Sequence, residues 1–318
     1  MAYGKIYLNN DLRGWNQNIF WEIKSLGGIA QIAHNVDEVL DMEGSAMYFN
    51  LHHNPARLES DMVFVDRVHW FRATVMVIPT LYECWFYNNK IKQYESYPEY
   101  FPVSHRISSQ DEAFAVLPDM VFPFVSKPND RAGGTDIKII YNKKEARQII
   151  KAAYPDSNSI CLDDAGCLVW QEYMPDNKCD YRVVVLANRY FWVAKRTVGD
   201  RGLVCGSSVK KYGAECYCEL NDDIIPIMEY IYGFSNKHHF TRLAADVIFD
   251  KNQNPIMTEF AASWGTNIMR EGTWFYRKDS GEYVKTDMSG ADQFKLMAKL
   301  LLEEEFQSVA CRQLVARQ

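Results

Sequence analysis

The chain has 318 residues, of which 47% are hydrophobic and 24% are charged. This composition excludes an intrinsically disordered chain, and the length allows two or three packed units. Lysine and arginine number 35 against 41 aspartate and glutamate residues, so the formal net charge of −6 excludes a broad basic surface for nucleic acid. No apolar run approaches the ~20 residues that a membrane-spanning helix needs. We therefore expect a globular protein with neither a membrane nor a nucleic-acid partner.

The thiol content and the first residues together predict a cytoplasmic protein. No apolar signal-peptide region follows Met1, and eight cysteines are scattered along the chain without a Cys-x-x-Cys motif. In a chain long enough to bury a large core, such cysteines are expected to be reduced thiols.

Residues 1–95 predict a separate, small β/α domain. Four short apolar segments have the character of strands, at residues 5–8, 29–33, 46–49 and 75–78. A helical pattern of apolar residues begins at Trp15 and ends at Gly27 and Gly28. Alternation of this kind is typical of a parallel sheet covered by helices.

The rest of the chain predicts an α+β arrangement in two parts, residues 96–172 and 173–318. Ser109 and Asn142 are expected to cap helices at residues 108–117 and 143–153, because a glutamate follows each of them by three positions. Further helices are predicted at residues 222–232 and 292–303. Strands are predicted at residues 120–127, 137–141, 168–172, 180–186, 190–195, 242–249 and 255–260.

Two segments have a less regular pattern. Residues 94–102 are rich in aromatic, proline and acidic residues, and we expect them to be a connector. Residues 270–286 carry three adjacent aromatic residues, which are compatible with closure over a substrate or with packing at a subunit interface.

Common catalytic motifs are absent from the sequence. There is no G-x-x-x-x-G-K-[ST], G-x-G-x-x-G, G-x-S-x-G or H-E-x-x-H pattern. The histidines form two adjacent pairs, His52-His53 and His238-His239, whose side chains point apart on a strand and make a zinc site unfavourable.

A lysine at a predicted strand end indicates a phosphate site. Lys127 closes an apolar segment, and the polar loop that follows contains Gly133 and Gly134. Lysine is a point cation suited to phosphate oxygens, and glycines let backbone N–H groups approach them closely. Taken alone, the segment favours a surface hairpin with a solvated lysine.

Two carboxylates and three further cations in the second half of the chain are candidates for the same phosphate site. Asp246 and Glu259 lie on two strands joined by a turn, and they repel each other unless a cation lies between them. Oxygen ligands combined with bound phosphates suit Mg²⁺, although two surface acids on a hairpin are about as probable from the pattern alone. Arg182 shares a strand face with Asp180, and Lys195 and Arg196 end the next strand.

In this order the segments resemble the ATP-grasp superfamily of ATP-dependent ligases, over about residues 87–264. Residues 86–90 and 101–104 are similar to two earlier segments of the same superfamily. The likeness is to members such as glutathione synthetase and the ligase that adds glutamate to a ribosomal protein. It implies an ATP-grasp fold of class α/β (α+β), in which two α+β lobes clamp ATP behind the small parallel β/α domain.

The resemblance implies a role for each matching residue. The ATP phosphates are expected to contact Lys127 and Lys90, beneath a loop that contains Gly133 and Gly134. The adenine and ribose pocket is expected to be lined by Gln171, Glu172 and Tyr173. Mg²⁺ would bind to Asp246 and Glu259. A carboxylate substrate and its acyl phosphate would be stabilised by Arg182, Lys195 and Arg196.

One position departs from the superfamily pattern. Ala261 stands where an asparagine usually helps to hold the second Mg²⁺. Either Ser263 or Asn267 replaces that asparagine, or one metal is held differently, or catalysis is weakened. The implied function is an ATP- and Mg²⁺-dependent carboxylate–amine ligase acting on small-molecule or peptide substrates. The alternatives are a nucleotide-binding module with weakened catalysis and a phosphotransferase on the same fold.

Overall fold

The computed structural model describes residues 4–11, 14–52, 54–131, 134, 136–156, 161, 164–197, 216–217, 220–265, 269 and 271–303. Within these ranges the chain forms three sheets, which follow one another in sequence. The predicted α/β fold class is confirmed. The domain boundaries at 95/96 and 172/173 stay predictions.

The first sheet is parallel, as predicted, with the strand order β2-β1-β3-β4. Its strands are β1 (Ile6–Asn9), β2 (Ala30–Ala33), β3 (Ser45–Tyr48) and β4 (Val75–Ile78). Helix α1 (Trp15–Ser25) packs on one face and α2 (Pro55–Phe71) on the other. Helix α2 was not predicted, because its apolar residues form no clear helical stripe.

The expected connector at residues 94–102 is wrong. Helix α3 (Leu81–Trp85) is followed by α4 (Lys90–Ser96), and a 3₁₀ turn spans Pro98–Tyr100. The segment is ordered because its aromatic side chains are buried against the third sheet: Tyr94, Tyr97 and Phe101. Their burial stabilises a helix that is too short to persist on propensity alone.

The second sheet is antiparallel, with the order β5-β8-β6-β7. Its strands are β5 (Ser104–Ile107), β6 (Phe124–Pro128), β7 (Lys138–Ile140) and β8 (Leu168–Glu172). Helices α5 (Gln110–Val116) and α6 (Lys143–Ala153) cover one face. Both predicted caps are confirmed, since Ser109 Oγ accepts the Glu112 N–H and Asn142 Oδ1 accepts the Glu145 N–H.

The third sheet is antiparallel and has the order β13-β12-β9-β10-β14-β15, with β11 beside β10. Its strands are β9 (Cys179–Leu186), β10 (Tyr190–Thr197), β11 (Cys216–Tyr217), β12 (Arg242–Phe249), β13 (Pro255–Ala261), β14 (Trp274–Asp279) and β15 (Glu282–Ser289). The helices are α7 (Ile225–Lys237) and α8 (Gln293–Leu302). The predicted strands 180–186 and 190–195 pair as the hairpin β9–β10, and 242–249 and 255–260 pair as β12–β13. Much of the segment 270–286 belongs to a third hairpin, β14–β15.

The first and third sheets share one apolar cluster. Ile6 and Leu8 of the first sheet belong to it together with Val184 and Trp192 of the third, and α1 and α8 pack into it. The cluster covers only part of this face of the third sheet. Charged side chains occupy the rest of the face, as the next section describes. No helix in the described ranges is long and apolar enough to cross a membrane.

Gln93 of α4 joins that helix to β13. The side chain is fully buried; its Nε2 donates to the carbonyls of Phe86 at 2.9 Å and Phe260 at 2.8 Å, and its Oε1 accepts the Phe260 N–H at 3.0 Å. One amide thus satisfies both backbone polar groups of Phe260, the residue after Glu259.

Replacing Gln93 with leucine keeps the volume but removes these partners. Because a buried unpaired polar group costs about 1–3 kcal/mol, we expect Gln93→Leu to lower the free energy of unfolding by about 2–4 kcal/mol. Urea unfolding followed by tryptophan fluorescence measures this loss. Ser96→Ala, at an exposed position of the same helix, is the control. Equal stability of the two variants would show that the hydrogen bonds of Gln93 do not stabilise the fold.

Candidate functional site

Lys127 links the second sheet to the third. It lies near the end of β6, on the same sheet face as Gln171 of β8. Its Nζ donates to the Thr258 carbonyl of β13 at 3.1 Å, and the side chain is almost fully buried. The predicted phosphate lysine therefore lies between two sheets, and the surface-hairpin alternative does not describe it.

The environment of Lys127 weakens its hold on its proton. Burial, together with the nearby charge of Lys90, lowers the pKa of the amine to about 8. Glu259 and Asp246 act in the opposite direction without restoring the usual value. An anion bound next to this amine would stabilise its protonated form, because the anion replaces the hydration that burial removes.

Lys90, the first residue of α4, lies beside one of these carboxylates, that of Glu259. Its Nζ donates to the carbonyls of Asn129 at 3.1 Å and Arg131 at 2.5 Å, and it lies 3.7 Å from Glu259 Oε1. The structure thus brings the two predicted phosphate lysines together, on two elements that are far apart in sequence.

Asp246 and Glu259 face each other across β12 and β13, in direct register. Asp246 is bound by Arg182, whose Nε and Nη2 each lie 2.7 Å from one carboxylate oxygen. Burial alone would raise the pKa of Asp246, but Arg182 and Arg196 outweigh that effect and hold it below its usual range. Asp246 is therefore a carboxylate at any ordinary pH.

Arg196 joins this pair to a second buried acid. Its Nε donates to Asp180 Oδ1 at 2.6 Å, its Nη2 also bonds Asp180, and the same Nη2 lies 3.0 Å from Asp246 Oδ1. Burial raises the pKa of Asp180 to about 6 despite Arg196. Asp180 was missing from the predicted site. The register of the β9–β10 hairpin, which places it opposite Arg196, is the signal that could have found it.

The two predicted metal ligands lie close together in the structure. Asp246 and Glu259 offer oxygen atoms from paired strands on one sheet face, which suits Mg²⁺. The described residues contain no group of three or more His, Cys, Asp or Glu side chains that could hold a metal ion. The pair therefore fits Mg²⁺ as a two-carboxylate site that needs phosphate oxygens to complete it, and Arg182 would have to share Asp246.

Among the described residues, no free side chain next to Ala261 takes the place of the asparagine that is usual at this position. Ala261 packs at the edge of the apolar cluster around α2, and Ser263 Oγ accepts the Leu51 N–H at 3.3 Å. Ser263 is thus already engaged with the first sheet. Asn267, the other candidate, lies outside the described residues.

The remaining predicted residues are less closely grouped. Lys195 alternates with Arg196 along β10 and so lies on the opposite sheet face, 5.9 Å from the ring centroid of Tyr181. The structure does not bring it to Arg182 and Arg196. Gly134 has a positive φ of 72°, as a tight loop requires, whereas Gly133 lies outside the described residues.

The three predicted adenine and ribose residues lie at the end of β8. Gln171 is buried on the face of Lys127 and donates to Ser104 Oγ at 2.9 Å. Glu172 is exposed, its N–H donates to the Val103 carbonyl at 2.8 Å, and Tyr173 is half-buried. Their roles stay predictions.

Comparison with known proteins gives little at the level of sequence. No protein-family model matches the chain. A stretch of 93 residues, 28% of the chain, is 32% identical to the carbamoyl phosphate synthase large chain of Paenarthrobacter aurescens (strain TC1). The match spans only 8% of that relative's length.

Solved structures are similar over nearly the whole chain. D-cycloserine synthetase DcsG is 13% identical with a TM-score of 0.61, covering 94% of this chain and 100% of its own. D-alanine–D-alanine ligase from Bacillus anthracis, solved with ATP, is 12% identical with a TM-score of 0.61, covering 97% and 99%. The ATP-grasp ligase PsnB, solved with minimal precursor, Mg and ADP, is 11% identical with a TM-score of 0.58, covering 95% and 98%. The predicted ATP-grasp fold is thereby confirmed, whereas the narrower likeness to glutathione synthetase stays a prediction.

The depressed pKa of Lys127 makes stability depend on pH. Between pH ~8 and ~10.5 the lysine is neutral in the folded chain but protonated in the unfolded chain, so stability should rise with pH across that window. From pH 7.5 to 9.5 we expect Lys127 to contribute a gain of about 2 kcal/mol, which Lys127→Met should remove. Urea unfolding at both pH values measures it.

The control is Lys138→Met, at an exposed position of β7. It should keep the pH dependence of the wild type. The same dependence in Lys127→Met would show that Lys127 has an ordinary pKa.

Proposed function

Because the chain has the ATP-grasp fold, we propose that it is an ATP- and Mg²⁺-dependent ligase that joins a carboxylate to an amine through an acyl phosphate. The observation that carries this proposal is the grouping of Lys90, Lys127, Asp246 and Glu259 between the second and third sheets. Two buried lysines beside two registered carboxylates suit a magnesium-bound triphosphate.

The phosphates would be bound by Lys127 and Lys90, under the loop that contains Gly133 and Gly134. The base and ribose would lie at the end of β8, against Gln171, Glu172 and Tyr173. Asp246 and Glu259 would hold Mg²⁺, which when bound offsets phosphate charge. Lys127 already lies within the site and would exchange its bond to the Thr258 carbonyl for a phosphate oxygen.

The proposed reaction has two steps. A carboxylate oxygen of the acid substrate attacks the γ-phosphorus of ATP, and ADP leaves. The amine nitrogen then attacks the acyl carbon, inorganic phosphate leaves and the nitrogen loses a proton. Arg182 and Arg196 would stabilise the charge on the transferred phosphoryl group, since fixed cations in a buried site act without reorganisation. Lys195, which was predicted for the same step, lies on the opposite sheet face and is left out of this proposal.

A second candidate is a nucleotide-binding module with weakened catalysis. Two observations favour it: both oxygens of Asp246 are bound by Arg182, and Ala261 supplies no metal ligand. A phosphotransferase on the same fold would differ only in its products. We place the substrates among small-molecule or peptide carboxylates and amines, in a cytoplasmic setting.

Removing one proposed metal ligand should weaken binding of the loaded nucleotide. With ATP at a hundred times its dissociation constant, the native state should gain about 2.7 kcal/mol, seen as a rise in Tm. Glu259→Gln should lose most of the Mg²⁺-dependent part of that rise. Glu282→Gln, at an exposed position of β15, is the control and should retain it. A Mg²⁺-dependent rise of unchanged size in Glu259→Gln would remove Glu259 from the site.

Product analysis separates the three functions. With ATP, Mg²⁺, hydroxylamine and a panel of amino acids and peptides, a ligase should release ADP and phosphate and form a hydroxamate. A phosphotransferase should give ADP with a stable phosphorylated product. ATP binding without ADP formation across the panel would favour the binding module.

A further inference from the structure

The two predicted phosphate lysines lie close together although their like charges repel. Lys90 begins α4 and Lys127 lies near the end of β6, and both side chains are almost fully buried. The charge of Lys90 lowers the pKa of Lys127, as expected for neighbouring cations. Because burial weakens screening by water, the repulsion is stronger here than at the protein surface. Contacts with other residues are therefore needed to keep the two lysines at this separation.

Asn129, the residue directly after β6, bonds the start of α4 on both sides of Lys90. Its buried side chain accepts the Ile91 N–H at 2.8 Å through Oδ1, and its Nδ2 donates to Asn89 Oδ1 at 3.2 Å. The first N–H groups of a helix have no partner within the helix, so Asn129 supplies one of them with an acceptor from another element. The backbone that carries Lys90 is thereby fixed to the end of the strand that carries Lys127.

The backbone of Asn129 also holds the ammonium group of Lys90. The Asn129 carbonyl accepts a hydrogen bond from Lys90 Nζ at 3.1 Å, and the Arg131 carbonyl accepts a second one at 2.5 Å. Asn129 therefore contacts Lys90 at its tip and holds the residues on either side of it. A displacement of Asn129 would change both the position of the Lys90 backbone and the direction of its side chain.

The segment before β8 keeps Asn129 itself in place. The Asn129 N–H donates to the Cys167 carbonyl at 3.0 Å, and Nδ2 donates to the Asp164 carbonyl at 3.1 Å. Asn89 is tied to the same segment, because its Nδ2 donates to Asp164 Oδ2 at 2.9 Å. The carboxamide of Asn129 is thus engaged through both its oxygen and its nitrogen within the protein, which suits a residue that positions others rather than one that contacts substrate.

We propose that Asn129 is a positioning residue, which fixes the separation between the ammonium groups of Lys90 and Lys127 so that both bind the phosphates of one ATP molecule. This inference rests on the proposed function. A phosphate chain presents neighbouring anionic oxygens, and two cations bind it more tightly when their separation is set before the ligand arrives. Asn129 can set that separation because it bonds the start of α4 and directly follows β6.

The first test separates phosphate binding from nucleoside binding. Asn129→Ser shortens the side chain, so that its bonds to Ile91, Asn89 and Asp164 are lost while the backbone carbonyl remains. In titration calorimetry, the dissociation constant of MgATP should rise at least tenfold relative to the wild type. The constant for adenosine, which has no phosphates, should change less than twofold. An unchanged constant for MgATP, or an equal loss with adenosine, would overturn the proposal.

A double-mutant cycle shows whether Asn129 acts through Lys90. Lys90→Met should itself weaken MgATP binding, because it removes one of the two cations. If the only role of Asn129 in binding is to place Lys90 relative to Lys127, then adding Asn129→Ser to Lys90→Met should change the dissociation constant less than twofold. Multiplication of the two single-variant losses in the double variant would show an independent effect and would contradict the positioning role.

Asn16→Ser is the matched control for the loss of a buried asparagine. Asn16 of α1 is fully buried, and its Nδ2 donates to the Asn9 carbonyl at 2.8 Å and to Asn9 Oδ1 at 2.6 Å. This variant should lose stability but keep the MgATP constant of the wild type within twofold. A loss of MgATP affinity as large as that of Asn129→Ser would show a general effect of destabilisation and would overturn the proposal.

A second variant serves if Asn129→Ser does not fold. Asn89→Ser keeps an oxygen that can cap α4 but lacks the amide that bonds Asp164. It should weaken MgATP binding, leave adenosine binding unchanged and add no further loss to Lys90→Met. An unchanged MgATP constant in Asn89→Ser would then count against the positioning role.

The hydroxamate assay distinguishes a failure of this inference from a failure of the proposed function. A tenfold loss of MgATP affinity in Asn129→Ser, with no hydroxamate from the wild type, would refute the ligase and keep the positioning role. Hydroxamate from the wild type, with an unchanged MgATP constant in Asn129→Ser, would keep the ligase and refute the positioning role. A wild-type chain that binds no MgATP would overturn both.

Discussion

The structure depends on keeping buried charges balanced on one face of the third sheet. Asp180, Arg196, Asp246 and Arg182 form a chain of alternating sign, in which each arginine satisfies a carboxylate through two N–H groups. None of the four could be buried alone, because an unpaired charge loses its hydration without compensation. Antiparallel register, rather than nearness in sequence, delivers these partners to one another. The pairing of the strands therefore also supplies each buried charge with its counterion.

The site also depends on how the second sheet is joined to the third. Lys127 reaches across to a carbonyl of β13, and Gln93 satisfies the backbone of the neighbouring Phe260. Both contacts use main-chain atoms beside Glu259. A ligand that displaces Lys127 from the Thr258 carbonyl would thus remove a contact between the second and third sheets, while the bonds from Gln93 of α4 to β13 would persist.

Much of the fold could be predicted from local sequence patterns. The elements that were predicted wrongly or not at all depend on contacts between residues far apart in the chain. The caps at Ser109 and Asn142 and the parallel first sheet depend on residues close in sequence, so the sequence was sufficient for them. Helix α4 and its 3₁₀ turn depend on tertiary burial of aromatic residues, which no local pattern shows. In the site, Lys127, Asp246 and Glu259 could be proposed because strand ends and hairpins bring them together. Asp180 needed the register of the β9–β10 pair, which places it opposite Arg196.

The apolar cluster shared by the first and third sheets has a consequence for evolution and engineering. Ile6 and Leu8 pack in the same cluster as Val184 and Trp192, so the first unit is not a detachable cap. Chimaeras that exchange this unit for one from another protein of the same fold would meet a mismatched surface, with cavities or overpacking on both sides of the junction. Substitutions among the inward-facing side chains of the first unit are therefore expected to require matching changes in the third sheet.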